Sequence, residues 1–518
     1  MVNDVGKLSG YEFYRRVLGS PQYVVAPMVD QSELAWRMLC RKYGAQLCYS
    51  PMYHANLFAN DPKYRKDALQ TCPEDRPLII QLCGNDPQQM LDAALAAQDY
   101  CDAVDINLGC PQAIAKRGHY GSFLQDEWEL LTQIVNTLHE KLSVPVTCKI
   151  RIFEDRDKTI RYAQMLEAAG CQLLTVHGRT REQKGPLTGV ADWSYIKSVR
   201  ENIKIPMFAN GNILGLEDVH RCLVATGVDG VMSAEGNLTN PAIFQGIAPT
   251  CWDMGNEYLD FVEQYPCPTS YIRGHIFKLF HQIMNIRQNA ELREQLATAN
   301  QLEQFRGVVA KIKNKYEPYQ KGDAIYTMEE MDASITHYTS DHKEMLPPWL
   351  CQPYVRASPE SHRQKIAEKE REAIDPNRIK RQYFDKDGNE ISRKRMKKLR
   401  RRQRRPNKSD AHNKARHDRQ LEYCVQCVNP LGFKCEFRLC RVCCREKCYS
   451  DDCDCPGHGI LIKSRRAKAK QFEEHSKHGG INDSGVVTVE TVGADADESD
   501  DLTNNDSVET PKRKNEVI

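Results

Sequence analysis

The chain has 518 residues, 72 Lys and Arg against 70 Asp and Glu, and a formal net charge of +2. That length exceeds one ordinary domain, so two or three units joined by linkers are expected. No stretch approaches the ~18 apolar residues that cross a membrane, and residues 1–20, with Asp4, Lys7, Glu12, Arg15 and Arg16, hold no apolar run of signal-sequence length. The expectation is a soluble intracellular protein, of the cytoplasm or the nucleus, whose 21 cysteines are thiols or metal ligands rather than disulfides.

The N-terminal segment, 1–20, precedes a region in which short apolar strands alternate with helix-like segments. Strands are predicted at Tyr23–Ala26, Gln46–Ser50, Leu78–Leu82, Ala103–Asn107, Val144–Ile150, Leu173–Val176, Ile205–Phe208 and Gly230–Met232. Between them, segments such as Gln88–Tyr100, Trp128–Leu142, Thr159–Ala169 and Leu216–Thr226 repeat their apolar residues at helical spacing. Eight such units within about 220 residues predict an α/β fold of the (β/α)8 TIM-barrel type over 21–267, with its active site on the loops after the strands. A doubly wound sheet would need a glycine-rich first turn, and Pro27-Met28-Val29 stands there instead.

The strand ends carry polar or special residues in nearly every unit: Pro27 to Val29, Gln81, Asn107 to Cys110, Lys149, His177, Asn210-Gly211-Asn212 and Ala234-Glu235-Gly236. Pro, Met and Gly give flat surface and close backbone approach, and Gln81 and Asn210 can hydrogen-bond a heterocycle. Lys149 can neutralise a reduced ring, and the backbone at Gly211 and Ala234–Gly236 can donate to a phosphate. That inventory fits flavin mononucleotide (FMN) better than a metal, since His177 has no second histidine at metal spacing in the barrel. Cys110 follows an apolar strand between Gly109 and Pro111, so it is displayed on a loop, with Lys116-Arg117 close behind in sequence.

Residues 268–345 read as helices without strands, an amphipathic run from Ile272 to His281 and another from Leu292 to Lys315 carrying Arg306, Lys311 and Lys313. From Leu346 to about residue 420 the chain turns polar and charged and reads as a basic linker; 361–420 holds 22 basic and 9 acidic residues. Arg393 to Lys408 has eleven basic residues among sixteen and no acid, a composition that serves RNA phosphates or nuclear import alike.

A cysteine-rich module is predicted at 421–460. It contains Cys424, Cys427, Cys435, Cys440, Cys443, Cys444, Cys448, Cys453, Cys455 and His458. The pairs Cys424/Cys427, Cys440/Cys443 and Cys455/His458 each span two intervening residues, as structural zinc prefers. The candidate ligands are Cys424, Cys427, Cys435, Cys440, Cys443, Cys448, Cys453, Cys455 and His458, enough for one or two ions, and spacing does not partition them. The tail, 461–518, is expected to be disordered; 482–510 carries nine acids and no base.

Asn107-Leu108-Gly109-Cys110-Pro111, with Ala26-Pro27-Met28-Val29, Lys149-Ile150-Arg151, His177 to Gln183 and Asn210-Gly211-Asn212, resembles the tRNA-dihydrouridine synthases over roughly the first 350 residues. Arg273-Gly274-His275 and Trp349 to Tyr354 resemble the eukaryotic members that act on uridines 16 and 17. The resemblance implies FMN held by Pro27, Met28, Val29, Gln81, Lys149, His177, Asn210, Gly211, Asn212 and the Ala234-Glu235 turn, with Cys110 as proton donor. It further implies the tRNA D-loop as partner and NADPH or NADH as reductant. Bacterial relatives have Gly-Arg where Ala234-Glu235 stands, so a cationic phosphate contact is absent there.

Uracil chemistry fits these residues. The C5=C6 bond is conjugated with the C4 carbonyl, so hydride from flavin N5 adds at C6 and an acid on the opposite face protonates C5. A cysteine thiol is largely protonated at neutral pH and suits that duty. Two other readings remain on sequence grounds: a flavin barrel reducing a small dihydropyrimidine- or dihydroorotate-type molecule, and an RNA-binding scaffold with an inactive barrel. The first leaves the helical annex, basic run and cysteine cluster without work. The intact Cys110, Lys149 and His177 argue against the second.

Overall fold

The structure, a computed structural model, describes residues 7–326, 346–354, 358–374, 434–467 and a few shorter stretches between 390 and 470. Two compact units divide between Pro406 and Asn407. In the first, eight parallel strands close into a barrel in sequence order: β1 (Tyr23–Val25), β2 (Leu47–His54), β3 (Leu78–Cys83), β4 (Ala103–Leu108), β5 (Val146–Arg151), β6 (Leu174–His177), β7 (Met207–Asn210) and β8 (Gly230–Ser233). Closure places Val24 of β1 beside Met232 of β8. Strands covered by helices on one face and by barrel side chains on the other are mostly apolar, which is why they show as short hydrophobic runs.

Three strands depart from their expected bounds at prolines, which have no N–H for the ladder; one is β5, which Pro145 delays to Val146. Around Pro51 the pairing of β2 with β3 shifts between Tyr49 and Met52, and the strand resumes to His54. Pro206 delays β7 to Met207. The helix Gly10–Arg16 buries Phe13 and Tyr14 in the interior cluster with Val24, Tyr49, Ile79, Phe208 and Met232. Tyr14 also donates its hydroxyl to the Asp229 carbonyl at 3.0 Å, beside the N-terminal end of β8. Part of the expected N-terminal segment is thus the floor of the barrel.

Helices Thr269–Leu279, His281–Asn285, Ala290–Thr298 and Leu302–Lys321 form the annex. The helix Cys251–Gln264 packs both on Leu34–Lys42 of the barrel and on Leu302–Lys321. A buried polar seam joins barrel to annex: the Tyr258 hydroxyl donates to Glu33 Oε1 at 2.7 Å, and His275 Nε2 lies 3.0 Å from Glu33 Oε2. The Trp36 ring stacks on His275 with centroids 4.0 Å apart. Burial alone would raise the Glu33 carboxyl, but His275, the Tyr258 hydroxyl and a backbone hydrogen bond together hold the group below its usual range.

Residues 346–354, at the head of the expected linker, return to this unit. Leu350 bridges Thr250, and the buried Trp349 packs against Tyr316, Tyr319 and Tyr326. A helix follows at Pro359–Ile374. The basic run Arg393–Lys408, except 395–397, and the tail beyond residue 470 lie outside the described residues. The second unit contains the helix Arg441–Ser450 and an antiparallel ribbon of Asp454–Cys455 with Ile460–Leu461. Among the described residues no helix is long and apolar enough to cross a membrane.

Candidate active site

Strand β4 delivers Cys110. The ladder stops at Leu108, and the turn that follows is capped by Asn107, whose Oδ1 accepts from the Gly109 and Cys110 N–H groups at 3.2 and 2.9 Å. Asn107 is itself aimed by donating Nδ2 to Gln81 Oε1 at 2.7 Å, and Gln81 Nε2 donates to Asp105 Oδ2 at 2.7 Å. Thr147 donates to the other Asp105 oxygen at 2.6 Å. Burial pushes the Asp105 carboxyl up to about 6 against the pull of these donors and of Lys149. The loop is pinned from distant segments as well: Ser122 Oγ donates to the Cys110 carbonyl at 3.0 Å, and Lys184 Nζ to that of Pro111 at 3.0 Å. Gly121, at φ +67°, allows that approach, since a Cβ there would sit 2.7 Å from the Cys110 carbonyl oxygen.

Half-buried, Cys110 packs near Cys83, Ala115 and Tyr120. Burial raises its thiol above the ordinary value, opposed by the Gln112 backbone, Arg151, Lys149 and Lys184. The group therefore carries its proton at neutral pH, as an acid must. A raised pKa means less thiolate at any pH below it, so iodoacetamide should alkylate Cys110 more slowly than free cysteine at about pH 7.5. Its rate should still be climbing where free cysteine has levelled off. Peptide mass spectrometry reads both, and faster alkylation than free cysteine would contradict this.

A cavity of about 1370 Å³ opens at the carboxyl ends of the strands, lined among others by Met28, Arg151, His177, Arg179, Asn210, Gly211, Asn212, Ala234 and Glu235. Cations cluster here. Lys149 Nζ donates to Asn210 Oδ1 at 2.9 Å, and burial, with Arg151 nearby, lowers its pKa to about 8. Arg151 donates to the Gly109, Thr180 and Gln183 carbonyls at 2.7–3.0 Å. Arg179 Nη1 meets His177 Nε2 at 3.0 Å. A guanidinium only donates, so that nitrogen accepts and the ring is neutral; burial first, then Lys149, Arg151 and Arg179, hold His177 well below its ordinary pKa. Arg179 also reaches Asn212, which adopts φ +59° and accepts from the Ala191 N–H at 2.9 Å. Trp193 fixes the Gly211 carbonyl at 3.0 Å.

The expected cofactor residues thus divide. Met28, His177, Asn210, Gly211, Asn212, Ala234 and Glu235 line the cavity, and Lys149 touches Asn210. Gln81 is fully buried with both amide atoms engaged by Asp105 and Asn107, so it supports the Cys110 turn. Pro27 and Val29 are not in the lining, and Val29 is 56% exposed. Ala234 and Glu235 share the cavity with Lys278 and Arg221, two bases that sequence reading did not single out. Size and donor chemistry fit FMN. Apolar Met28 offers a flat contact, amide and imidazole groups suit ring edges, and cations suit a phosphate. The volume exceeds the roughly 300–1,000 Å³ of ordinary ligand pockets, leaving room for a base beside a cofactor.

In the second unit the ligand atoms fall into two groups, Cys424, Cys427, Cys440, Cys443 and Cys435, Cys444, Cys455, His458. Cys444 was outside the sequence-based ligand set. Cys448 and Cys453, which were in it, belong to neither group.

Residues 24–328 match the family described as Dihydrouridine synthase (Dus). A tRNA-dihydrouridine(16/17) synthase (NAD(P)(+))-like protein of Mus musculus is 50% identical over 467 residues, 89% of this chain and 93% of that one. The tRNA-dihydrouridine(16/17) synthases of Schizosaccharomyces pombe and Saccharomyces cerevisiae are 47% and 45% identical, each over 68% of this chain and over 91% and 87% of their own lengths. A barrel with a pinned thiol and a cationic mouth, matched in sequence across the barrel and the annex, establishes that this chain belongs to the dihydrouridine synthase family of oxidoreductases.

Proposed function

We propose that the chain reduces the C5=C6 bond of uridines 16 and 17 in the tRNA D-loop, with FMN in the barrel mouth and NADPH or NADH as reductant. The observation that carries this is Cys110, a protonated thiol held on a pinned turn at the cavity end of a barrel whose relatives bear that activity in their names. FMN would be held by Met28, Lys149, His177, Asn210, Gly211, Asn212 and the Ala234-Glu235 turn, with Lys278 and Arg221 supplying cations in the same cavity. When bound and reduced, it supplies the hydride that saturates C6.

The protein's own groups do the rest. Cys110 Sγ–H gives its proton to C5, the S–H bond breaking as the C–H bond forms, and the thiolate regains a proton from solvent. Arg151 and Arg179, aimed by backbone carbonyls, offer positive charge to the uracil carbonyl oxygens as negative charge builds there. His177, neutral at physiological pH, is a hydrogen-bonding partner rather than an acid. A uridine within a folded RNA must be swung out to reach this mouth, which calls for phosphate contacts around it. The annex cations and the basic run Arg393–Lys408 are assigned to that grip. The cysteine-rich unit is read as a zinc module, and the chain as a cytoplasmic or nuclear protein.

Purified protein loaded with FMN should oxidise NADPH in the presence of unmodified tRNA and not of free uridine. The tRNA-dependent rate should fall steeply with salt, as phosphate contacts require. Equal oxidation with free uridine would overturn the RNA substrate.

A further inference from the structure

Among its described residues the second unit has almost no aliphatic core. Seven of its nine buried core residues are cysteines, and the other two are Leu439 and Ile460. So small a body with so little apolar burial needs a cross-link or a metal to stay folded.

The thiols stand at the wrong distance for cross-links. Cys427 Sγ lies 3.6 Å from the sulfurs of Cys440 and Cys443. Cys455 Sγ lies 3.9 Å from that of Cys435 and 3.7 Å from His458 Nδ1. A disulfide would bring two sulfurs to about 2.05 Å. Around a tetrahedral zinc ion with Zn–S bonds of about 2.3 Å, neighbouring sulfurs stand about 3.8 Å apart, and a sulfur and an imidazole nitrogen slightly closer. The separations are those of tetrahedron edges. In each group of four, all ligand atoms lie within 4.8 Å of one another.

Resting on the reading of this unit as a zinc module, we infer that it binds two zinc ions at interlocked sites. One is a four-cysteine site, Cys424, Cys427, Cys440 and Cys443; the other takes Cys435, Cys444, Cys455 and His458. Local structure explains the partition. Cys443 and Cys444 are consecutive in the helix Arg441–Ser450, where successive side chains point about 100° apart, so they serve different ions. The ribbon and its turn, Pro456–His458 closed by Gly459 at φ +65°, bring Cys455 and His458 to one ion. Gly457 leaves no room for a Cβ against the Lys434 carbonyl, so the turn lies directly on the segment that delivers Cys435.

The order along the chain interlocks the sites. Cys435 of the second site lies inside the loop closed by the first, and Cys443 of the first lies inside the loop closed by the second. Neither loop is independent, and the two ions together supply what a larger apolar core would. Cys448 is the competing ligand, its sulfur 4.0 Å from Cys444 yet outside the group.

The test uses the full-length chain, purified without added metal, with elemental analysis by mass spectrometry. Two zinc ions per chain are expected in wild type and in the Cys448→Ser/Cys453→Ser double variant, and at most one in Cys427→Ser and in Cys444→Ser. Should the single variants fold poorly, cobalt-substituted wild type decides, since its thiolate-to-cobalt charge-transfer band should correspond to seven thiolates for two ions. No bound metal, or iron in place of zinc, would overturn the zinc module itself. One zinc per wild-type chain, an eight-thiolate band, or zinc lost from the double variant would overturn the partition alone. None of these readings depends on RNA reduction.

Discussion

Replacing Cys110 with alanine should lower the rate of uridine reduction by about 10²- to 10⁴-fold, the span that a positioned general acid supplies. At about 1.4 kcal/mol per factor of ten, that is roughly 3–5 kcal/mol of transition-state stabilisation. The large effect follows from the absence of a substitute. Burial keeps the Cys110 thiol protonated, whereas the nearby Lys149, Arg151 and Lys184 are held on carbonyl or amide oxygens. The loop should survive, because the bonds that pin it run to the backbone of residues 109–111 and not to the sulfur. Flavin absorbance and thermal midpoint should therefore match wild type. Cys110→Ser keeps the shape with a much weaker acid and should remain within a few-fold of the alanine variant. Normal turnover in either would remove Cys110 from the chemistry.

Asp75→Ala should be the most destabilising of the single changes considered, at about 3–5 kcal/mol, because it strands a buried cation. Asp75 is fully buried and receives Arg37 Nε and Nη2 at 2.9 and 2.6 Å, Arg41 Nε at 3.1 Å and the Thr71 hydroxyl at 3.2 Å. Arg37 is 1% exposed, and its remaining bonds are to the Ser32 and Gln70 carbonyls, which do not neutralise it. The ion pair ties the helix Leu34–Lys42 to the loop before β3, so its loss should loosen the barrel wall beside β2. Thermal denaturation should show a midpoint lower by about 10 °C, taking roughly 2–4 °C per kcal/mol for a unit of this size. The double change Arg37→Met/Asp75→Leu removes both charges and should recover much of the loss. A single variant that melts with wild type would show the pair to be solvated.

The barrel was legible because parallel strands buried on both faces appear as short apolar runs, and helices between them keep their own period. Strand ends slipped where Pro51 and Pro206 interrupt the ladder, a local effect that apolarity does not report. Partners far apart in sequence were not legible. Trp349 belongs with Tyr316, Tyr319 and Tyr326, yet its surroundings in sequence are those of a linker. Phe13 and Tyr14 plug the barrel from a helix too short to show an amphipathic period.

The site divides the same way. His177 and Asn210 end their strands and line the cavity, Lys149 lies against Asn210, and Cys110 stands on the turn after β4 beside the lining residues Pro111 and Gln112. Gln81 was expected to face a flavin because of its type, but Asp105 and Asn107 on the adjacent strand consume both ends of its amide. Ser122 and Lys184, which hold the Cys110 turn, lie 12 and 73 residues from the carbonyls they bind and carry no motif. Among the cysteines, spacing found the pairs but could not choose Cys444 over Cys448, since that choice depends on which helix face meets which cluster of sulfur and nitrogen atoms.

The most direct test of the central claim is nucleotide-resolution mapping of dihydrouridine in unmodified tRNA incubated with FMN-loaded protein and NADPH, wild type beside Cys110→Ala. Dihydrouridine at positions 16 and 17 with wild type, and its loss with the variant, is the predicted result. Product at other positions alone would contradict the assigned target; no product from wild-type protein that holds FMN and binds tRNA would contradict the enzymatic reading itself.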